Sequence, residues 1–435
     1  MDKGLTKITG EITVSQDIFS EVQKEIKNVS NFKKKIEEVL TKRTTEILEI
    51  ILGGAIFLDA SDIHIEPEEE KAKIRARIDG VLQDVIIINQ KTYESLLSRI
   101  KLLSGLKLNI TDRPQDGRFS IATEKTTIEI RASALPAEHG ESIVLRVLNP
   151  KSLIEIDSLG LRKDLLKIFE REIKKPNGMI IVTGPTGSGK TTTLYAFLRM
   201  IHRPEIKIIT IEDPIEYHLE GISQTQVAPE KGYDFANGLK AIVRQDPDVI
   251  LVGEVRDLET AQTALQAALT GHLVLSTLHT NDAAGTIVRL QSLGEKPVNI
   301  APAINMAVAQ RLIRKVCQKC VKFEKISSQE LERIKKVLKN LPKGITKYSE
   351  SSKVPKAAGC QDCNLTGYRE RVGIFEAFLV DDEMEKFILT SPSIATLREK
   401  AIEKGMITMY QDGLIKVLEG LTTIEEVERV IEPTE

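Results

Sequence analysis

The most informative part of this sequence is Gly184-Pro-Thr-Gly-Ser-Gly-Lys-Thr191. It matches G-x-x-x-x-G-K-[ST], a pattern whose glycines let the loop curl so that backbone N–H groups face phosphate oxygens. The apolar residues 179–183 suit a buried strand, and residues 192–200 can open a helix whose N-terminus attracts anions. The stretch and its flanks therefore predict a nucleoside triphosphate site.

Each residue of this loop, with the first residues of the helix that follows, is a candidate nucleotide-binding residue. The set comprises Gly184, Pro185, Thr186, Gly187, Ser188, Gly189, Lys190, Thr191 and Thr192. In loops of this pattern the lysine reaches the β- and γ-phosphates, and the next hydroxyl binds Mg²⁺. Lys190 is therefore a predicted catalytic residue and Thr191 the predicted magnesium ligand, with ATP and Mg²⁺ as the bound groups.

Residues 161–315 alternate between strand and helix patterns, which is typical of a parallel nucleotide-binding sheet. Four apolar strands are predicted, at 179–183, 207–211, 249–252 and 273–277. In such sheets, ligands lie at the carboxyl ends of the strands. The polar residues after the second, third and fourth strands are therefore candidate catalytic groups: Glu212 and Asp213, Glu254, and His279.

The end of the third strand departs from a common pattern. An aspartate that holds Mg²⁺ is often found there, but this chain has Gly253 followed by Glu254. A carboxylate at this point can orient or deprotonate a water in line with the γ-phosphorus, so Glu254 is the predicted general base. His279 is expected to act beside it, whereas His272 and His64 are given no role.

The four cysteines form two C-x-x-C pairs, Cys317 with Cys320 and Cys360 with Cys363. Two such pairs supply four thiolates for a tetrahedral Zn²⁺ site. Redox-active or incidental pairs remain an alternative, although a thioredoxin-like motif needs only one pair. Zinc is favoured, and the long segment between the pairs is expected to fold as an excursion whose ends the metal ties together.

Composition limits the class of protein. The 435 residues are 41% hydrophobic and 29% charged, so the chain is globular and long enough for two or three domains. Its formal net charge of −2 gives no sign of a nucleic-acid partner. The sequence starts without an apolar run of signal-peptide length, and it has no apolar stretch of about 18 residues. We expect a cytoplasmic protein that meets a membrane only through partners.

Strand and helix patterns that precede the loop predict a smaller α+β domain. In one of its strands, Ala72, Ile74, Ala76 and Ile78 share one face and charged residues take the other. The predicted division has six parts: a polar segment (1–40), the α+β domain (41–150), a linker (151–160), the nucleotide-binding core (161–315), a zinc-binding subdomain (316–370) and a C-terminal helical region (371–435).

Three further motifs, at 211–217, 244–257 and 270–282, combine with the loop into a family pattern. Over residues 55–432 the chain resembles the secretion ATPases of type II secretion and type IV pilus assembly. The resemblance implies an α/β fold: a RecA-like P-loop NTPase core, a smaller PAS-like α+β N-terminal domain and a zinc-binding tetracysteine subdomain. That subdomain is similar to the insertion of assembly motors, which retraction motors lack.

The resemblance also implies how such a chain works. A homo-hexamer would hydrolyse ATP to ADP and phosphate and turn this into motion that drives pilin or pseudopilin assembly. Its partners would be an inner-membrane platform protein and a membrane-anchoring partner, at the inner face of the cell membrane. Arginines at two N-terminal motifs reach the nucleotide phosphates in this family, which makes Arg118 and Arg131 candidate catalytic residues.

Alternatives of other classes stay open. A hexameric RecA-like nucleic-acid translocase could use the same motor, although 4% aromatic content and an acidic balance are untypical of a nucleic-acid groove. A scaffold that binds nucleotide without hydrolysis would leave Glu254 and His279 unused. The motifs do not separate type II secretion, pilus assembly and DNA-uptake pseudopilus assembly. The docking mode is open because no long extra domain precedes residue 62, and Lys240 stands where relatives often carry arginine.

Overall fold

The structure is a computed structural model that describes residues 10–13, 16–122, 127–150, 155–342, 344, 345, 349 and 352–432. The described residues divide into two compact units. The N-terminal unit contains the residues up to 152 together with 317–320 and 358–369. The core unit contains residues 153–316, 321–357 and 370–435. Both cysteine pairs therefore belong to the N-terminal unit.

The N-terminal unit is built on one sheet. Its described strands are β1 (Glu11–Thr13), β2 (Asp62–Pro67), β3 (Lys71–Ile78), β4 (Val81–Asn89), β5 (Gln115–Ala122), β6 (Thr127–Ala137) and β7 (Gly140–Leu148). Its described helices are α1 (Gln16–Glu25), α2 (Val29–Val39), α3 (Thr44–Phe57) and α4 (Gln90–Leu103). The strand order is β1-β5-β6-β7-β2-β3-β4, and the described strands pair antiparallel except for β1 on β5.

Alternation decides which face of this sheet is buried. In β3 the alanines and isoleucines are buried and the charged residues between them are not, as the sequence predicts. These apolar residues form one cluster with α3, which is buried from Ile47 to Ile56. This helix ends at Phe57, where Leu58 caps it and Asp59 turns the backbone to a φ of +51°.

The core unit contains the remaining elements. Its described strands are β8 (Gly178–Thr183), β9 (Ile208–Glu212), β10 (Ser223–Gln226), β11 (Val249–Val252), β12 (Leu273–Leu278), β13 (Ile304–Val316), β14 (Lys322–Lys325), β15 (Lys353–Lys356) and β16 (Tyr368–Leu379), which enters the unit at Glu370. Its described helices are α5 (Lys163–Glu172), α6 (Lys190–Ile201), α7 (Phe235–Val243), α8 (Leu258–Leu269), α9 (Ala284–Ser292), α10 (Pro297–Ile300), α11 (Ser328–Val337), α12 (Asp382–Ile388), α13 (Ile394–Glu403), α14 (Met409–Leu418) and α15 (Ile424–Val430).

The larger sheet of the core unit positions the loop. Its order over the described strands is β10-β9-β11-β12-β8-β13-β16, and the pairs from β10 to β13 are parallel. β8 lies between β12 and β13, is buried throughout and ends at Thr183, immediately before the loop. The carboxyl ends of β9, β11 and β12 lie at the same edge. The four predicted strands occur with bounds that shift by one residue at most.

The part of the chain after β13 differs from the expectation in one respect. β14 and β15 pair antiparallel, so the segment between the cysteine pairs has elements of its own, as predicted. The region predicted to be helical from 371 instead begins with β16, and its helices start at Asp382. Residues 372–376 are all buried, and a short, mainly apolar run such as 372–375 suits a core strand as well as a helix. Within the described residues, no helix combines the length and apolar character needed to cross a bilayer.

Candidate nucleotide site and cysteine cluster

The loop before α6 has a backbone that its glycines make possible. Gly184, Gly187 and Gly189 have φ values of +150°, +79° and +88°. A Cβ at Gly184 would lie 2.6 Å from the carbonyl oxygen of Gln310, so only glycine lets the loop lie this close to β13. Gly189 is the N-cap of α6, which begins at Lys190. The strand, loop and helix therefore follow each other as the sequence predicts.

The loop fits a phosphate group. Apart from Gly187 and its two chain neighbours, no atom of the described residues lies within 4 Å of the place where a Cβ of Gly187 would stand. The Ser188 hydroxyl oxygen is buried and has no hydrogen-bond partner among the described residues. Because buried polar groups are normally paired, an orphaned hydroxyl at a helix N-terminus fits a phosphate oxygen as its partner. Thr191, the predicted magnesium ligand, lies half-buried in the first turn of α6.

Lys190 keeps its charge inside the loop. Its Nζ donates hydrogen bonds to the carbonyl oxygens of Gly184 at 2.8 Å and Pro185 at 3.3 Å. Burial lowers the pKa of Lys190 to about 8, although the negative charge of Glu254 opposes the shift. A desolvated ammonium that is bound by carbonyl dipoles alone is poised to bind phosphate.

Three predicted catalytic residues meet around Glu254, which follows β11. Its Oε2 lies 3.5 Å from Nε2 of His279, which follows β12, and its Oε1 forms an ion pair with Arg256. Nη1 of Arg256 lies 3.5 Å from Oδ2 of Asp213, which follows β9. The carboxyl ends of three adjacent strands thus bring Glu254, His279 and Asp213 together. Arg256, to which sequence analysis gives no role, links two of them.

His279 is uncharged in this cluster at neutral pH. Burial, together with the nearby charge of Lys190, lowers the pKa of His279 below its usual value. A neutral imidazole can donate from Nε2 to the Glu254 carboxylate without neutralising its charge. His279 can therefore hold Glu254 in place without forming a full ion pair with it.

Glu212 has a different environment from its neighbour Asp213. Its carboxylate is buried and accepts hydrogen bonds from Tyr195 Oη, from Thr210 Oγ1 at 2.5 Å and from Gln224 Nε2 at 3.1 Å. Burial raises the pKa of Glu212. The geometry suits a group that fixes the end of β9, whereas the carboxylate of Asp213 faces Arg256.

A row of charges lies on one face of the sheet in the N-terminal unit. Arg118 on β5 stands opposite Arg131 on β6, which stands opposite Arg146 on β7. Arg146 Nε donates to Oδ1 of Asp62 on β2 at 3.0 Å. One Glu129 oxygen lies 3.9 Å from Arg118 and 3.6 Å from Arg131. The two predicted arginines are therefore neighbours, and Arg146 extends their row.

Arg146 is not among the predicted site residues, although the sequence indicates which face of its strand it occupies. Ser142, Val144 and Arg146 alternate with buried residues of β7, which places Arg146 on the less buried face. Only the register with β6 shows that it stands beside Arg131. The row could not be assembled from one strand alone.

The four cysteines come together in the N-terminal unit. Their Sγ atoms all lie within 4.8 Å of one another, with separations of 3.9 Å for Cys317–Cys360, 3.8 Å for Cys320–Cys363 and 3.7 Å for Cys360–Cys363. Four thiolates around a Zn²⁺ at about 2.3 Å would be about 3.8 Å apart, whereas a disulfide needs about 2.05 Å. The cluster therefore fits a tetrahedral zinc ion, and all four cysteines are free of disulfides.

Backbone turns hold this cluster. The N–H groups of Cys360 and Gly367 donate to the Cys363 sulfur at 3.1 Å and 3.2 Å. Asn364 and Leu365 adopt φ values of +52° and +59°, which turns the chain back after the second pair. Amide donors around a sulfur stabilise a thiolate, the form that binds metal.

Known proteins resemble this chain over most of its length. A family described as "Type II/IV secretion system protein" matches residues 37–429. The chain is 43% identical over 386 residues to "Type II secretion system ATPase E" of Vibrio cholerae serotype O1, covering 88% of this chain and 75% of that protein. It is 42% identical over 379 residues to "Type IV pilus assembly ATPase PilB" of Thermus thermophilus, covering 87% of this chain and 42% of that protein.

Solved structures show the same relationship. The pilus retraction motor PilT with bound ADP is 28% identical, with a TM-score of 0.58, covering 88% of this chain and 96% of that chain. The predicted fold class, an α/β nucleotide-binding core with a smaller domain and a cysteine cluster, is confirmed. The match extends over both the N-terminal unit and the core unit. The chain belongs to the type II/IV secretion system protein family.

Proposed function

We propose that this chain is the ATP-hydrolysing motor of a type II secretion or type IV pilus assembly machine. The observation that carries the proposal is the cluster of Glu254, His279, Arg256 and Asp213 at the sheet edge that also carries the loop. Phosphoryl transfer needs positioned charges of this kind beside the phosphates. The relatives named as ATPases in Vibrio cholerae and Thermus thermophilus support the predicted enzyme class, an ATP hydrolase.

Glu254 is the general base in the proposed reaction. A water oxygen attacks the γ-phosphorus, and the bond from that phosphorus to the β-phosphate oxygen breaks and leaves ADP. The water proton passes to an oxygen of Glu254 and then to solvent. Arg256 and His279 each hold one oxygen of Glu254, so the carboxylate keeps a single orientation for this transfer.

The remaining site residues would bind the phosphates and the metal ions. Lys190 and the N–H groups of the loop hold the phosphates, and Thr191 would hold Mg²⁺. The metal, when bound, neutralises negative charge on the β- and γ-phosphates. The four cysteines would hold a Zn²⁺ that is structural, because four thiolates leave no position for a reactive water.

The wider assembly is part of the same proposal. The chain would act as a homo-hexamer with a platform protein and a membrane-anchoring partner, at the inner face of the cell membrane. Arg118 and Arg131 would contact the nucleotide phosphates, since a guanidinium stays charged and offers paired donors to phosphate. The family resemblance supports these roles, and so does the row of arginines that both residues share.

Replacing Glu254 tests the proposal. Glu254→Gln keeps the shape of the side chain but removes the negative charge that accepts the water proton. We expect ATP hydrolysis to slow by about 100-fold or more, with ATP binding retained. Steady-state phosphate release and equilibrium nucleotide binding measure the two effects separately.

The control is Glu259→Gln, the same chemical change at an exposed glutamate on α8 that pairs with Lys240. It should leave hydrolysis unchanged. Turnover of Glu254→Gln at the rate of the unmodified protein would refute the role of Glu254. Binding of ATP by Lys190→Ala with undiminished affinity would refute the nucleotide site itself.

A further inference from the structure

Arg311 lies at the edge of the core sheet where the nucleotide loop begins. Ala309 on β13 is paired with Thr183, the last residue of β8, so Arg311 is level with the start of the loop. The side chain of Gln310 accepts a hydrogen bond from Thr193 on α6 at 2.7 Å. Because successive residues of a strand point to opposite faces, Arg311 takes the other face, toward Asn281. This places it beside the residues that follow β12.

Within the part of the chain that the structure describes, the guanidinium of Arg311 donates its hydrogen bonds to two carbonyl groups. Nη2 donates to the carbonyl oxygen of Asn281 at 3.1 Å and Nη1 to that of Gln310 at 3.2 Å. Among the described residues, no carboxylate forms an ion pair with it, although the side chain is half-buried. Arg314, on the same strand and also half-buried, pairs with Glu426 at 2.6 Å. Arg311 is thus a desolvated cation without a counter-charge in contact.

The nearest acids are already engaged elsewhere. Asp282 accepts from the N–H of Gly285 at 2.7 Å and forms an ion pair with Arg398. Glu376 accepts from the N–H groups of Ala283 and Met409 at 2.9 Å and 3.0 Å. Both attract Arg311 from a distance, but burial still lowers its pKa. The charge of Arg311 is therefore incompletely compensated within the chain.

The second cation of this region is Lys190. Burial is the main cause of the lowered pKa of Lys190, and Glu254 opposes it. The positive charge of Arg311 lowers this pKa further, so the two cations lie within electrostatic range of each other. Two like charges held near one loop repel each other until an anion binds between them. A bound polyphosphate would remove this repulsion and occupy the open cradle at Gly187.

We propose that Arg311 binds the terminal phosphate of the nucleotide, on the side opposite to α6. This inference rests on the proposed function and assigns to that site a residue outside its sequence motifs. A guanidinium can hold a phosphate oxygen with one nitrogen while another still holds Asn281. The γ-phosphate is the proposed ligand because Arg311 contacts Asn281, in the same segment after β12 as His279, which lies beside Glu254. ADP lacks this phosphate, so Arg311 would distinguish ATP from ADP.

The test compares ATP and ADP affinities of Arg311→Gln in a Glu254→Gln background, in which ATP survives the measurement. We expect ATP to bind about tenfold more weakly or worse, the usual cost of losing a charge-assisted hydrogen bond, and ADP affinity to change by less than about twofold. Arg311→Lys keeps the charge and should recover part of the loss. Arg203→Gln, an exposed arginine beyond the far end of α6, is the matched control.

A second measurement uses the unmodified chain and does not depend on how a variant folds. Phenylglyoxal modifies accessible arginines, and mass spectrometry locates each adduct. ATP with Mg²⁺ should protect Arg311 from modification, ADP should protect it much less, and Arg203 should react equally in all samples. Equal modification of Arg311 with and without ATP would overturn the inference.

The outcomes separate this inference from the proposed function. If Lys190→Ala loses nucleotide binding while Arg311→Gln keeps the parent ratio of ATP to ADP affinity, the site stands and Arg311 has no part in it. If Lys190→Ala binds nucleotide as the parent does, the proposed site fails, and the inference fails with it.

Discussion

Lys190 and His279 are ionisable groups that both interact electrostatically with Glu254, and burial lowers the pKa of both. His279 is neutral at pH 7 as a result. Lys190 titrates near pH 8, where an exposed lysine would stay fully charged. The charge available to bind phosphate therefore changes within a pH range that is easily reached in solution.

We predict that ATP affinity falls as the pH rises above about 8. Phosphate stabilises the charged form of Lys190, so bound ATP raises the pKa, and above pH 8 binding must take up a proton. Affinity should be constant on this account below pH 7 and fall by up to about tenfold per pH unit above 8. Calorimetry at pH 8.5 in buffers of different ionisation heat measures the proton uptake.

Lys190→Arg is the control for this prediction, because an arginine stays protonated over the whole range. Its affinity should lack the fall above pH 8. Equal ATP affinity of the unmodified chain at pH 7 and pH 9 would contradict the lowered pKa.

For individual residues, the sequence identifies candidate site residues better than it predicts what each of them does. Glu254 and His279 are recognisable because they end apolar strands beside a P-loop, and the structure brings them within 3.5 Å. Glu212 ends a strand in the same way, yet its carboxylate is engaged by Tyr195 and Gln224. Those partners come from a helix and an edge strand whose packing one sequence does not reveal.

Two helices of the core unit begin at one carboxylate. Glu376 on β16 is buried, and its oxygens accept the N–H groups of Ala283, before α9, and of Met409, the first residue of α14. The first N–H groups of a helix have no partner within the helix. A negative charge at this end is also attracted to the positive end of the helix dipole. α9 follows the residues after His279, so Glu376 fixes where the segment after β12 ends.

We predict that Glu376→Gln destabilises the core unit by about 1–3 kcal/mol, because an amide nitrogen then faces a buried N–H group that has lost its acceptor. Urea unfolding measures the loss of free energy. Hydrogen exchange at Ala283 and Met409 should quicken. Glu370→Gln, at the exposed start of β16, is the control and should unfold like the parent. Unchanged exchange at both amides would contradict the capping role.

The elements themselves follow from periodicity to different degrees. The short strands β8, β9, β11 and β12 are buried runs between polar residues, and their bounds follow from the sequence. β16 lies in a stretch predicted to be helical, because a buried run on a sheet edge and a buried helix share the same composition. Such segments are decided by their neighbour in the sheet, here β13.

On the scale of the whole molecule, the cysteine cluster and α2 belong to the same unit. Oδ1 of Asn364, next to Cys363, accepts the N–H of Val29 at 2.7 Å, and Val29 is the first residue of α2. The sequence predicts the metal site from spacing alone, but it does not show where the site packs. The six-part division of the chain stays a prediction. The structure itself groups the cysteines with the N-terminal residues and the segment 321–357 with the core.

We predict that purified protein holds about one zinc per chain and that losing it affects α2. Cys363→Ser should lower the zinc content and free Asn364, so the amide of Val29 should exchange faster. The amide of Thr92, which Asn89 caps at 2.9 Å in the same unit, serves as the internal control. Elemental analysis and hydrogen exchange give the two readouts. Zinc-free protein with unchanged exchange at Val29 would contradict the link.

The division of the chain into two compact units limits how the protein can be truncated or recombined. The N-terminal unit is assembled from three separate stretches, and two of them, 317–320 and 358–369, lie far along the chain from the first. A polypeptide that stops at residue 152 would lack the whole metal centre. A chimera that exchanges N-terminal units between two relatives must therefore exchange both cysteine stretches as well. Otherwise the N-terminal residues of one protein would have to pack against the cysteine stretches of the other.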